Sequence, residues 1–249
     1  MSQLWQGVEL PDGFRLDYRD STGSTNDDAR EAARAGAAAG LVIVAGKQEA
    51  GRGRRGAAWV CPPGEGLAFT VLSRPGEAKA LWPRLSLAAG LAVAEGLERF
   101  GMLAEVKWPN DVWISGKKVA GILVEAGDDH VAVGIGINVG VRGFPPALGD
   151  SATSLLLECG EAPPLPAVLA TVLERLQVWQ GKIGAGFGEL LRHFRVRCAL
   201  SGKEVRLLAA DGALSGRVAG IGDGGELLLE TPEGIRKLVQ ADEVRVLEN

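Results

Sequence analysis

The sequence has little that could cross-link it, chelate a metal or anchor it. Three cysteines, Cys61, Cys159 and Cys198, occur in 249 residues. An odd number without paired spacing argues against a disulfide framework and suits a reducing, cytoplasmic setting. Two histidines, His130 and His193, are too few and too scattered for a zinc site. No apolar run approaches the ~20 residues of a membrane span. The start, MSQLWQGVELPDGF, lacks the basic-then-apolar order of a secretion signal, so a soluble chain with no membrane partner is expected. Positive charge is not in excess either: the net charge is −4, which argues against a nucleic-acid coat and makes any basic cluster local.

Glycine, by contrast, is abundant at 36 residues, which predicts hairpins and loops that pass close to a ligand. The 46% apolar and 23% charged fractions are ordinary globular values, and a chain of this length buries about 70% of its unfolded surface. Segments 14–19, 41–45 and 67–72 read as strands. STGSTN at 21–26 offers helix caps ahead of the acid-led helix DDAREAARAGAAA. Leu81, Leu85, Ala88, Ala89 and Ala92 fall at helical spacing within 81–100. Residues 104–139 read as three strands with turns at SGKK and AGDDH. Residues 140–166, with Pro145, Pro146, Pro163, Pro164 and Pro166, read as an irregular connection before helices at 167–180 and 187–197. Beyond Ser201 the texture changes to five short strands, KEVRLL, ALSGRVAGI, ELLLE, IRKLV and EVRVLE. Turns at Asp211 and Gly212, at Asp223 and Gly224, and at PEG 232–234 separate them, the pattern of a small SH3-like β-barrel. The predicted fold is α+β, with a mixed-sheet catalytic domain at 1–200 and a C-terminal SH3-like barrel at 201–249.

Three clusters carry chemistry. GRGRRG at 51–56 spells the dinucleotide pattern GxGxxG. It continues as AAWVCPPGEG, however, and Pro62 and Pro63 forbid the helix whose amino terminus would hold a pyrophosphate. What remains is a loop with Lys47, Arg52, Arg54 and Arg55 against Glu49 alone, expected to stay mobile until an anionic ligand neutralises it. Trp59 directly after it argues against a merely solvated stretch. In KWPND at 107–111, Pro109 pushes Trp108 into an extended conformation. Lys118, on the far arm of the hairpin, can then meet Asp111 across the strands. In GIGIN at 134–138, Gly134 and Gly136 let a flat ligand or another backbone approach closely. Taken singly, these read equally well as a solvated loop, an ordinary ion pair and a β-bulge.

Taken in order, STN at 24–26, Gln48 ahead of GRGRRGAAW, KWPND, KKVAGILVE at 117–125 and GIGIN resemble the biotin–protein ligases over nearly the full chain. The resemblance implies two reactions. The biotin carboxylate attacks the α-phosphorus of ATP to give biotinyl-5′-AMP and pyrophosphate, and a lysine of a biotin carboxyl carrier protein then takes the biotinyl group and releases AMP. It also implies roles. Lys118 would bridge carboxylate and phosphate, Asp111 would orient Lys118, and Arg54 would lie near the phosphate. Biotin contacts would come from Ser24, Thr25, Asn26, Gln48, Gly51, Arg52, Gly53, Arg54, Lys118, Gly121, Gly134 and Gly136. The ATP side would comprise Arg54, Trp59, Lys107, Asn110, Lys118 and Asn138, with Mg2+ carried by the phosphates near Asn110 and Asp111. Ala57 and Ala58 stand where family members often carry a further basic residue, so one phosphate contact is expected to be missing. Because STN arrives at residue 24, no room is expected for the amino-terminal helix-turn-helix of the family's repressors, and no DNA binding. A free strand edge could dock the carrier or pair two copies as a homodimer. Two alternatives remain: a lipoate–protein ligase of the same fold, and a non-catalytic nucleic-acid module. Six Lys/Arg against nine Asp/Glu after residue 200 count against the second.

Overall fold

A computed structural model describes residues 2–209, 212–241 and 244–247. Asp211 of one predicted turn, and Glu243 and Glu248 of the last predicted strand, lie outside them. The first layer is a seven-stranded sheet built from β1 (Arg15–Arg19), β2 (Leu41–Ala45), β3 (Gly66–Ser73), β4 (Ala104–Lys107), β5 (Asp111–Ile114), β6 (Lys117–Ala126) and β7 (Val131–Asn138). Its order is β1-β2-β3-β7-β6-β5-β4. Only β1 and β2 run parallel, joined by α1 (Thr25–Arg34), and the remaining neighbours are antiparallel. This is the mixed sheet of the predicted α+β class. β2 and β7 are buried along their whole length, as expected of apolar runs at the centre of a covered sheet.

Three local differences from the sequence reading have physical causes. The span 104–139 holds four strands rather than three. Pro109 has no N–H for a ladder, so the chain turns after β4 and pairs back, with Lys107 opposite Asp111. The predicted helix at 81–100 is α2 (Arg84–Glu98), which begins directly after Pro83, where a missing N–H costs no helical bond. The proline-rich connection contains α3 (Leu155–Cys159). Ser154 caps it by accepting the Leu157 N–H at 3.2 Å, and Gly160 ends it at φ 80°.

α2 lies across the sheet, and α4 (Leu165–Gln180) packs on α2 so closely that a Cβ on Gly96 would meet Val172 backbone at 3.1 Å. α5 (Phe187–Val196) leads to the second sheet. There β8 (Glu204–Ala209), β9 (Gly212–Ile221), β10 (Leu227–Thr231), β11 (Gly234–Leu238) and β12 (Val244–Val246) form an antiparallel array, ordered β11-β10-β9-β8-β12. The two sheets share one apolar core, in which Leu85 and Val106 belong to the same cluster as Val205 and Leu227. Trp108 is buried at the junction and donates its indole N–H to the Gly225 carbonyl at 3.0 Å.

Candidate active site

A cavity of about 210 Å³ opens where the start of α1, the glycine-arginine loop and the faces of β6 and β7 meet. Its floor is a hydrogen-bonded set of short polar side chains. Ser24 stands at the amino-terminal cap of α1 but makes no side-chain cap bond. Thr25 donates to Gln48 Oε1 through both its backbone N–H (2.9 Å) and its hydroxyl (3.1 Å). The Thr70 hydroxyl lies 2.6 Å from Asn26 Oδ1 and 2.8 Å from Thr25 Oγ1. Asn26 donates to Glu125 Oε2 at 2.7 Å and to the Leu123 carbonyl at 3.2 Å. The segment read as cap material thus commits Thr25 and Asn26 to the cavity, and the network holds them where they are.

One wall is the β5–β6 hairpin. Lys118 Nζ sits 2.7 Å from Asp111 Oδ1, the cross-strand meeting expected from the sequence, beside a bulge between Val112 and Trp113. The opposite wall is the loop, which is hydrogen-bonded across itself. Gly53 N–H donates to the Ala57 carbonyl at 2.6 Å, Trp59 N–H donates to Gly51 at 2.9 Å, and Arg52 and Ala58 form an antiparallel bridge. The turn between them, Arg54–Gly56, puts Arg55 at φ 56°. Carboxylates from distant parts of the chain supply the missing counter-charge. Arg52 forms a two-point ion pair with Asp27 at 2.6 and 2.5 Å and approaches Glu125 at 3.6 Å. The Asp27 bond holds Arg52 firmly cationic, and Arg52 in turn lowers the Asp27 carboxyl below its ordinary range. Arg54 differs. Half-buried, it donates to the neutral amide oxygen of Asn110 at 3.1 Å, and burial followed by the nearby Arg55 charge lowers its guanidinium pKa.

The glycines of β6 and β7 make room for protein side chains. A Cβ on Gly134 would lie 2.2 Å from Asn26 Oδ1, one on Gly136 would lie 2.3 Å from the Trp59 indole, and one on Gly121 would press on Lys118 at 3.1 Å. The close approach predicted for a flat ligand is therefore occupied by Asn26 and Trp59. Trp59 Nε1 is buried and has no hydrogen-bond partner among the described residues.

The cavity brings together Ser24, Thr25, Asn26, Gln48, Arg52, Gly53, Arg54, Trp59, Asn110, Asp111, Lys118, Gly121, Gly134 and Gly136. Three predicted residues do not line it. Gly51 packs behind Trp59, Lys107 sits 4.6 Å from the Trp113 ring centre, and Asn138 is buried with its amide donating to Thr153 O.

Comparison with known proteins agrees with this geometry. Residues 19–141 match the biotin/lipoate A/B protein ligase family, and residues 200–242 match the biotin protein ligase C-terminal domain. The bifunctional ligase/repressor BirA of Bacillus spizizenii is 37% identical over 239 residues, spanning 92% of this chain and 74% of that protein. The biotin–[acetyl-CoA-carboxylase] ligase of Paracoccus denitrificans is 35% identical, over 90% of this chain and 97% of its own. The chain belongs to the biotin protein ligase family. The solved biotin protein ligase of Aquifex aeolicus in complex with biotin and ATP superposes on this ligase with a TM-score of 0.85 at 33% identity, covering 94% of this chain and 99% of the other.

The sequence reading passed over several groups that shape this ligase's cavity. Phe69, Ile122, Leu123 and Ile135 line it, and as apolar residues in apolar strands they carried no distinguishing signal. Thr70, Asp27 and Glu125 act on it through hydrogen bonds. Glu125 was detectable as the carboxylate closing the otherwise apolar stretch VAGILVE. The Asp27 contact needs the fold.

Proposed function

We propose that this ligase activates biotin with ATP to biotinyl-5′-AMP and transfers the biotinyl group to a lysine of a biotin carboxyl carrier protein. The observation that carries this reading is the convergence of an ammonium and a guanidinium on one cavity with a polar floor: Lys118 held at 2.7 Å by Asp111, and Arg54 hydrogen-bonded to the neutral Asn110 amide with the Asp111 charge nearby. Two anions, a carboxylate and a triphosphate, repel each other and react only where fixed positive charge offsets that repulsion.

In this assignment the floor from Ser24 to Asn26, with Gln48, receives the polar ring of biotin, Gly53 lines the same cavity, and Gly121, Gly134 and Gly136 leave the room that Lys118, Asn26 and Trp59 take beside it. Lys118 draws the biotin carboxylate towards the α-phosphorus, and Asp111 keeps the ammonium aimed. Arg54 exchanges its Asn110 bond for a phosphate oxygen. The carboxylate oxygen bonds to phosphorus as pyrophosphate leaves. In the second reaction the carrier amine bonds to the acyl carbon, loses a proton and expels AMP. Trp59 and the arginine loop cover the mixed anhydride against water. Mg2+ would enter with the triphosphate, and the side-chain oxygens of Asn110 and Asp111 suit such a hard cation, whose contribution is to neutralise phosphate charge. Lys107 and Asn138 would act on the nucleotide only after local rearrangement. We assign the catalytic domain to 1–200 and the SH3-like domain to 201–249. A cytoplasmic site fits the three free thiols, and among the described residues no helix is long and apolar enough to cross a membrane. Homodimerisation through a sheet edge is testable by ultracentrifugation with and without biotin and ATP, a monomer in both ending it.

The match of residues 200–242 favours biotin over lipoate. Mass spectrometry of a carrier domain incubated with the protein, ATP, magnesium and either acid decides between them. Addition of biotin is expected, and lipoate addition without biotin addition overturns the reading. Lys118→Gln should slow pyrophosphate release about a hundredfold or more, while the circular dichroism spectrum stays unchanged.

A further inference from the structure

We propose that Asp27 is a positioning residue that latches the arginine loop shut through Arg52, with Glu125 tying the same latch to the cavity floor. The two-point geometry, both terminal guanidinium nitrogens of one arginine on both oxygens of one carboxylate, fixes direction as well as distance. Glu125 accepts from Asn26 at 2.7 Å and also lies 3.6 Å from Arg52, so one carboxylate touches both floor and loop. Another polar tie of the loop, Arg54 to Asn110, uses the guanidinium that the nucleotide would claim. The Arg52–Asp27 pair involves neither Lys118 nor Asp111 and can persist through both reactions. Resting on the ligase reading, the consequence is retention of the acyl adenylate until a carrier arrives.

A first-turn aspartate also favours a helix through its dipole, and Asp28 separates the two roles. Asp28 occupies the same turn of α1 but pairs with Arg19 at 2.9 Å and accepts from Thr22 at 2.6 Å rather than binding Arg52. The test is native trypsin cleavage after Arg52, Arg54 and Arg55 in the full chain, read by intact mass. Asp27→Asn should be nicked about fivefold faster than the parent, the scale of a well-formed partly exposed ion pair. Asp28→Asn should match the parent, and Asp27→Glu should fall within twofold of it. Without carrier, the parent should release one equivalent of pyrophosphate and then slow. Asp27→Asn should keep that first turnover within twofold while its later release rises by a similar fivefold. Equal nicking of the Asp27→Asn and Asp28→Asn variants overturns the latch. Absence of any pyrophosphate release from the parent overturns the ligase reading, while the nicking result still judges the latch.

Discussion

At Gly136 the absent side chain has a measurable consequence. Trp59 fills the space a Cβ would take, 2.3 Å from the indole, and its backbone is tied to Gly51 across the loop. Gly136→Ala should push the indole out and carry the loop with it. Overpacking of this kind costs about 1–3 kcal/mol, so biotin affinity measured calorimetrically should fall about tenfold. Cys61 offers a second test at this scale. Burial, reinforced by the Glu65 charge, pushes its thiol up to about 12. At pH 8 it should resist iodoacetamide while the exposed Cys159 reacts first, as peptide mapping would show. Because the folded thiol ionises later than the unfolded one, its contribution to stability is constant below pH about 9 and lost progressively as pH rises towards 12. The thermal midpoint should therefore not change between pH 7 and 8 on its account.

At the scale of elements, α3 was hidden in the sequence because its five residues lie between proline pairs and show no helical period. Its cap makes it fold. Ser154 Oγ accepts the Leu157 N–H and donates to the Val141 carbonyl at 2.6 Å, both within buried surroundings. Ser154→Ala removes both bonds and should cost about 1–2 kcal/mol, seen as a lower denaturant midpoint with an unchanged slope. The long, strongly patterned elements were legible beforehand. β2, β3, α2, α4 and α5 sit where their apolar runs or helical spacing placed them, to within a few residues, because each buries a face that its composition marks. The arginine loop was legible only in part. Counted by itself, it is a self-repelling segment expected to be mobile, but Asp27 and Glu125 come from α1 and β6 to neutralise it.

At the scale of the molecule, one core runs through both sheets, and Trp108 is where they lock. Its N–H bond to Gly225 spans catalytic sheet and barrel, and Arg195 reinforces the junction by donating to the Ile221 carbonyl at 2.8 Å. Trp108→Phe keeps most of the apolar volume and leaves the Gly225 carbonyl without its partner. The expected loss is about 1–3 kcal/mol, a drop of several degrees in Tm for a chain of this size. Scanning calorimetry should also show the single transition broadening, because the barrel is then held less tightly to the core.

The amino-acid sequence by itself determined the α+β class, the change of texture near residue 200 and the short motifs whose order marks the family. Those properties depend on periodicity, turn chemistry and residue type, which are local. Only the tertiary structure decided which carboxylate holds Arg52, which side chains fill the space beside Gly134 and Gly136, and that Lys107 and Asn138 do not line the cavity. Those outcomes depend on distances between residues far apart in the chain, such as Asp27 to Arg52 and Asn26 to Gly134, and only packing brings such pairs within a hydrogen bond.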